Sequence, residues 1–168
     1  MTCTRLLAIL AVVCLPIPAG TELVPHDLTS NTSHSPYVTS ASTDYGDCFR
    51  AWQVLDGVTG GGGCYYWLGT NGGKDWWKID LGSGNGRILR GYVVRVNAVP
   101  EPDRAPNDWT IEGSDNDSDW TTVDTVADQS SWGSAEARTF YCDTQTTAYR
   151  YFRLNITSNK DSINISCR

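Results

Sequence analysis

Asp115, Asp117 and Asp119 recur at alternate positions, the spacing that opens an EF-hand calcium loop. The rest of that loop is missing, because Trp120 stands where the turn glycine is required and Val126 where the bidentate Glu belongs. The three acids therefore read as a solvated turn. Gly72-Gly73-Lys74-Asp75 lacks the Ser or Thr, and the spacing, of a phosphate-binding loop. Both histidines, His26 and His34, sit in a polar N-terminal stretch. A Ser-His-Asp or Cys-His site would have to draw its base from that segment, and a hydrolytic metal in the core would lack imidazole ligands. Asp44 and Asp47 offer a carboxylate pair of the type glycosidases use, but on an acidic chain such pairs are ordinary surface features. The chain reads as a non-enzyme.

Recognition chemistry is better represented. Val99-Pro100-Glu101-Pro102-Asp103-Arg104-Ala105-Pro106 is stiffened by three prolines and presents one Arg. A rigid loop loses little entropy on binding, and a guanidinium donates to two oxygens at once. A neutral sugar asks for that kind of fork beside an aromatic plate for its C–H face.

The elements that must position such loops are short strands. Trp109 and Ile111 alternate with Thr110 and Glu112, and Trp120, Thr122 and Asp124 alternate with Thr121, Val123 and Thr125; Gly113 to Asp119 supplies the turn between them, so residues 107–126 predict a hairpin. Tyr92, Val94 and Val96 alternate with Val93, Arg95 and Asn97, and Phe152, Leu154 and Ile156 share a face opposite Tyr151, Arg153 and Asn155. With seven Trp, eight Tyr and few helix-period segments, an all-β core is expected.

The chain begins with one basic residue, Arg5, an apolar run from Leu6 to Leu15, and Pro16-Ile17-Pro18-Ala19-Gly20, a pattern that predicts a secretory signal peptide over residues 1–20. The run is too short for a spanning helix, so no membrane insertion is expected. Residues 21–35 lack periodicity and read as a flexible leader. Losing Arg5 with the signal moves the formal charge from −6 to −7, which argues against nucleic acid and acidic polysaccharides as partners. Four cysteines remain, Cys48, Cys64, Cys142 and Cys167, an even count that predicts two disulfides outside the cell, in any of three pairings. No Cys-x-x-Cys pair supports a zinc site. Asn31-Thr32-Ser33, Asn116-Asp117-Ser118, Asn155-Ile156-Thr157 and Asn164-Ile165-Ser166 fit the N-glycosylation pattern, with Asn116 best placed at a turn tip.

Five segments stand in a recognisable order. They are Val38-Thr39-Ser40-Ala41-Ser42, Ala51-Trp52-Gln53-Val54-Leu55-Asp56-Gly57, Trp76-Trp77-Lys78-Ile79-Asp80-Leu81-Gly82, the Asp108-Trp109-Thr110-Ile111-Glu112-Gly113-Ser114 hairpin strand, and Tyr149-Arg150-Tyr151-Phe152-Arg153-Leu154. In this order they resemble the discoidin family, also called the coagulation factor 5/8 type C domain, over residues 36–168. The resemblance implies a jelly-roll-type β-sandwich of the galactose-binding-domain-like class. It also implies a secreted, lectin-like module that binds a glycan or glycoprotein without altering it. A cell-adhesion module that docks its loops on a protein or membrane surface is the alternative. In sugar-binding members, an Arg before the Trp109-type strand and a polar residue ending the previous strand contact the ligand; here these positions look like Arg104 and Asn97. Asp44, Tyr45, Trp67 and Trp132 fall in loops that would complete the pocket, although Trp67 and Trp132 also read as plugs for the ends of the sandwich. Asp56 and Thr59 resemble the family's structural calcium loop, whose C-terminal Glu is missing here. The family fold favours the pairings Cys48–Cys64 and Cys142–Cys167. A shallow loop site implies weak binding, so a homo-oligomer would supply avidity.

Overall fold

Alternating apolar side chains turn their buried faces toward each other across two β-sheets. The computed structural model describes residues 6–9, 21–46, 48–58, 66–97, 102–160 and 165–167. The strands are β1 (Leu6–Ile9), β2 (Thr21–Leu23), β3 (Val38–Ala41), β4 (Trp67–Gly69), β5 (Trp76–Asp80), β6 (Ile88–Arg95), β7 (Pro106–Ser114), β8 (Thr121–Val126), β9 (Ala137–Tyr141), β10 (Tyr151–Asn159) and β11 (Ile165–Cys167). One sheet runs β3-β5-β10-β7-β8, all antiparallel; the other runs β2-β1-β6-β9, and β11 pairs with β4 alone. This is the all-β, jelly-roll-type sandwich that the strand pattern and the resemblance imply.

The periodicity of two decides which residues fill the core. Trp77 and Ile79 from β5, Trp109 and Ile111 from β7, and Phe152, Leu154 and Ile156 from β10 are buried, and they meet Leu89, Tyr92, Val94 and Val96 of the opposing sheet. The outer face of the first sheet is polar and paired across strands. Arg153 donates to Glu112 at 2.7 Å, directly opposite it in the β10–β7 register, and lies 4.2 Å over the Trp120 ring. Gly113 is required by a close approach: a Cβ there would stand 2.6 Å from Cγ of Tyr149, so only glycine lets that ring lie on β7. The hairpin forms as expected between β7 and β8. Its turn is organised by Asn116, whose Oδ1 accepts the N–H groups of Ser118 and Asp119.

A polar chain crosses this apolar interior. Trp109 Nε1 donates to the Tyr92 hydroxyl at 3.0 Å, and that hydroxyl donates to Asp124 Oδ2 at 2.7 Å, which joins β7, β6 and β8. Phe140 stacks on Tyr92 and meets Trp109 edge-on, so the link is packed on both sides.

Two expectations change. Residues 24–35, expected as part of a flexible leader, are docked: Val24 and Leu28 are buried, Leu28 N–H donates to the Leu55 carbonyl, and Asn31 Oδ1 accepts the Trp52 N–H. Two apolar anchors separated by Pro25, His26 and Asp27 are too few to establish either a strand or a helix period, which is why the sequence pattern hides them. Leu6–Ile9, inside the stretch expected to be a signal peptide, runs parallel beside β6. The second correction concerns cysteines. Cys142 and Cys167, expected to pair, are both free thiols, buried at 4% and 0% exposure. Their place among apolar side chains pushes the Cys142 thiol up to about 12 and raises that of Cys167 as well. Cys48 is disulfide-bonded, and its expected partner Cys64 lies outside the described residues.

Tyr92→Phe removes the hydroxyl that satisfies a buried indole N–H, so we expect a loss of about 1–3 kcal/mol in urea unfolding, with the sandwich otherwise intact; unchanged stability would mean that the link is energetically idle. Alkylation without reductant should label Cys142 and Cys167 only after unfolding and leave Cys48 unlabelled. A Cys142–Cys167 peptide in a non-reducing map would contradict this arrangement.

Candidate functional site

The strand registers gather many loops at one end of the sandwich. Ala41 pairs with Trp77, Asn155 with Trp76, Asn159 with Pro106, and Trp109 with Val126. The exits of β3, β8 and β10 and the entries of β5 and β7 therefore share an end. Residues 127–136 then cross from the exit of β8 to the entry of β9, beside the exit of β6. Asp44, Tyr45, Asn97, Arg104 and Trp132 all fall in this group of loops.

The exit of β3 is fastened to the entry of β5 by one carboxylate. Asp75 is 2% exposed and accepts from Ser42 Oγ at 2.5 Å, Thr43 Oγ1 at 2.7 Å and the Asn71 N–H at 2.9 Å. Gly73, with a φ of 76°, abuts the Asn159 amide oxygen, so the loop before β5 leans on the exit of β10. A side chain at Gly73 would occupy the position of that amide. Beside this knot Asp44 keeps one buried oxygen, Oδ1, without a hydrogen-bond partner, and its other oxygen faces Arg50 at 3.9 Å. Burial raises the Asp44 carboxyl above its ordinary range, with Arg50 pulling the other way. Tyr45 is 57% exposed and leans on Phe49, with ring centroids 5.9 Å apart. It is the open aromatic face among the expected site residues.

Of the two readings open to the two tryptophans, sugar plate or plug, the structure takes the second. Trp67 is fully buried and donates its indole N–H to the Thr43 carbonyl at 2.8 Å. Trp132 is 6% exposed, donates to the carbonyls of Pro106 and Gln129, and is covered by the Arg138 guanidinium at 3.9 Å. Neither presents an open ring for a sugar face, so both serve as plugs. Trp132 nevertheless borders a cavity of about 240 Å³, whose other walls include Asp103, Asn107, Gln129, Ser130 and Lys160. Lys160 Nζ meets Asp103 Oδ1 at 2.7 Å across this opening, with both side chains largely exposed. Carboxylate, ammonium, amide and hydroxyl groups over an apolar floor can bind adjacent hydroxyls of a small polyol.

Arg104 ends the short 3-10 turn Pro102–Arg104 that leads into β7, half-buried. The Asn97 carbonyl accepts the Ala135 N–H, which ties the exit of β6 to the 127–136 loop. The structure thus places Arg104, Asn97 and Trp132 around neighbouring loops. Sequence reasoning missed Asp103, Asn107 and Lys160. Asp103 stands next to Arg104 in the proline-stiffened loop, the one signal that pointed toward it.

The 127–136 loop is under strain. Asp128, Ser131 and Ala135 all adopt positive φ, between 55° and 59°. Arg138 holds them: Nε donates to Glu136, one terminal nitrogen to Gln129 Oε1 and the other to the carbonyls of Ser130 and Ser131. The Glu136 carboxyl is held below its usual range, first by the hydrogen bond from Arg138 and then by the Gly133 N–H. A carboxyl with a lowered folded value contributes stability fully at neutral pH, and loses it as pH falls through that value. Asp56, expected in a calcium loop, turns Oδ1 to the Val58 N–H at 2.8 Å, while Thr59 lies outside the described residues. Among the described residues no three His, Cys, Asp or Glu side chains converge as metal ligands.

The profile of the F5/8 type C domain family matches residues 37–168. Among solved structures, the chain is similar to the module CpGH89CBM32-5 of Clostridium perfringens in complex with GalNAc-β-1,3-galactose, at 9% identity and TM-score 0.61, over 78% of this chain and 90% of that one. It is also similar to the family 32 module of C. perfringens NanJ in complex with galactose, at 14% identity and TM-score 0.58, over 78% and 88%. A fucolectin from striped bass serum, Morone saxatilis, aligns at 14% identity and TM-score 0.62, over 78% of this chain and 44% of that one. No protein of curated function matches the sequence.

Arg138→Ala should release the loop from four acceptor groups. We expect faster hydrogen exchange at Gln129 and Glu136, and a loss of about 1–3 kcal/mol in urea unfolding. As the loop's Glu136 protonates in acid, the difference between variant and wild type should shrink. Equal exchange at neutral pH would show that the loop holds its shape without Arg138.

Proposed function

The chain belongs to the F5/8 type C domain family, and from that membership we propose that it is a secreted, non-catalytic, lectin-like domain that recognises a neutral sugar at the loop end of its sandwich. The observation that carries the proposal is the cavity between Trp132 and the Asp103–Lys160 pair. Its volume suits one monosaccharide-sized group. A carboxylate and an ammonium side by side supply an acceptor and a donor at the spacing of neighbouring hydroxyls, so one ion pair can bracket a vicinal diol. The similar solved modules are complexes with galactose and with a GalNAc-galactose disaccharide, which supports the same ligand class here.

The proposal of a binding rather than a catalytic role is supported by where the titratable groups sit. His34 lies outside the loop end, in an exposed pair with Asp27 at 3.1 Å. Among the described residues no helix is long and apolar enough to cross a membrane. Export through residues 1–20, a Cys48–Cys64 disulfide, a structural calcium ion at Asp56 and Thr59, glycoprotein partners and self-association for avidity belong to the same proposal. The exposed Tyr45 ring favours the second reading, adhesion to a protein surface, because an open aromatic at a loop tip is also a docking group.

Calorimetry of the purified chain against galactose, fucose and N-acetylhexosamines, in calcium and in chelator, tests the proposal. We expect affinity in the roughly millimolar to micromolar range, since a shallow site buries few atoms. Lys160→Met should weaken binding about tenfold or more, with an unchanged melting temperature, because its exposed ion pair contributes little to stability. Arg104→Ala should remove most binding. If Arg104→Ala acts and Lys160→Met does not, the sugar sits over Arg104 and Asn97 instead. If no glycan binds while a protein surface does, adhesion replaces the lectin reading.

A further inference from the structure

We infer that Asn116 is an N-glycan acceptor, which carries an oligosaccharide at the end of the sandwich opposite the loop cavity. The inference rests on the export part of the reading above. The acceptor pattern occurs four times, and the fold separates the candidates.

Asn155 lies inside β10, half-buried, with Nδ2 donating to Glu112 Oε1 at 3.2 Å. It faces Thr110 and Trp76 in the two flanking registers, so a sugar on that nitrogen would displace a bond and stand on a packed sheet face. Asn31 is half-buried where the N-terminal segment docks, its Oδ1 shared between the Trp52 N–H and the Thr39 hydroxyl. Asn164 is outside the described residues.

Asn116 differs on each count. Residues 115–119 are all exposed. Its Oδ1 points inward, accepting the N–H groups of Ser118 at 3.0 Å and Asp119 at 2.8 Å. Its Nδ2 points outward, to the exposed Asp119 carboxylate at 2.7 Å. A glycosylated amide keeps its oxygen and one N–H, so the turn survives the modification with both backbone bonds. In the transfer, Nδ2 bonds to the anomeric carbon of an oligosaccharide held on a lipid pyrophosphate. The bond from that carbon to the pyrophosphate oxygen breaks, the lipid pyrophosphate leaves with the electron pair, and Nδ2 yields one proton to the transferring enzyme.

Position gives the site its consequence. Ser114 and Thr121 bound the turn, and the nine residues of β7 separate it from Pro106 at the loop end. At about 3.3 Å per residue, the glycan would stand on the order of 25–30 Å from the cavity. It would cover the far end of the domain and leave the recognition loops open.

The full chain, expressed in secreting eukaryotic cells with its own N-terminal segment, provides the test. We expect protein in the medium whose mobility increases on treatment with an N-glycanase, with Asn116 converted to Asp in the mapped peptide. Ser118→Ala should abolish conversion at Asn116 while keeping the turn, since Ser118 contributes only its backbone N–H there; Asn155→Gln should leave it unchanged. Secreted protein without a shift, or a shift that persists at full size in both Ser118→Ala and Asn116→Gln, would overturn the inference and leave the lectin reading standing. Failure of the wild-type chain to reach the medium would overturn export, and this inference with it.

Discussion

The Trp109 indole N–H, buried where no water can reach it, must find an acceptor in the opposing sheet, and the Tyr92 hydroxyl is that acceptor. Much of the sandwich follows from this requirement. The hydroxyl is oriented by its own donation to Asp124, so the link fixes β6 against both β7 and β8 and sets how the two sheets lie on one another. Apolar packing alone would tolerate sliding, since methyl and methylene surfaces are nearly interchangeable. A hydrogen-bonded chain through the core is directional, and breaking it strands a polar group in an apolar medium.

The loop end is held by the same logic at smaller scale. Asp75 gathers the β3 exit and the β5 entry with three donors, and Arg138 gathers the strained 127–136 loop with four acceptor groups. Each is a single side chain whose full set of hydrogen bonds exists only when the loop has one shape. A recognition site on loops needs this, because binding energy spent on ordering a loop is lost to affinity. The left-handed residues at Asp128, Ser131 and Ala135 indicate that the loop is kept in a shape its backbone would not choose alone.

Charge is arranged around these anchors rather than spread evenly. The outer face of the five-stranded sheet pairs its acids with Arg and Lys, as in Arg150 with Asp80 and Lys78 with Asp117, both at close distance. At the loop end the Asp103–Lys160 pair is the more exposed, and a polar ligand can enter between its members. Solvent exposure makes such a pair cheap to open.

The sequence by itself determined the strands and their inward faces. The alternation of Trp109 with Ile111, and of Phe152, Leu154 and Ile156, reads directly because a pleated strand repeats every two residues whatever it packs against. The order of the five family-like segments fixed the fold class for the same local reason. Only the tertiary structure decided the rest. Val24 and Leu28 are two isolated apolar residues in a polar stretch, too few to set a period, and it is tertiary contacts with Leu55 and Trp52 that dock residues 24–35. Cys142 and Cys167 were expected to pair through the family resemblance, since an even count alone says nothing of distance or direction; the fold leaves both as buried thiols. Trp67 and Trp132 read in the sequence either as sugar plates or as plugs, and their indole N–H groups, bonded to backbone carbonyls inside, make them plugs. Lys160 is an unremarkable polar residue in the chain; it faces Asp103, 57 positions away, because β10 runs antiparallel to β7 and delivers it there. Local periodicity is written in neighbouring residues, whereas a site depends on which distant residues the sheet register brings together.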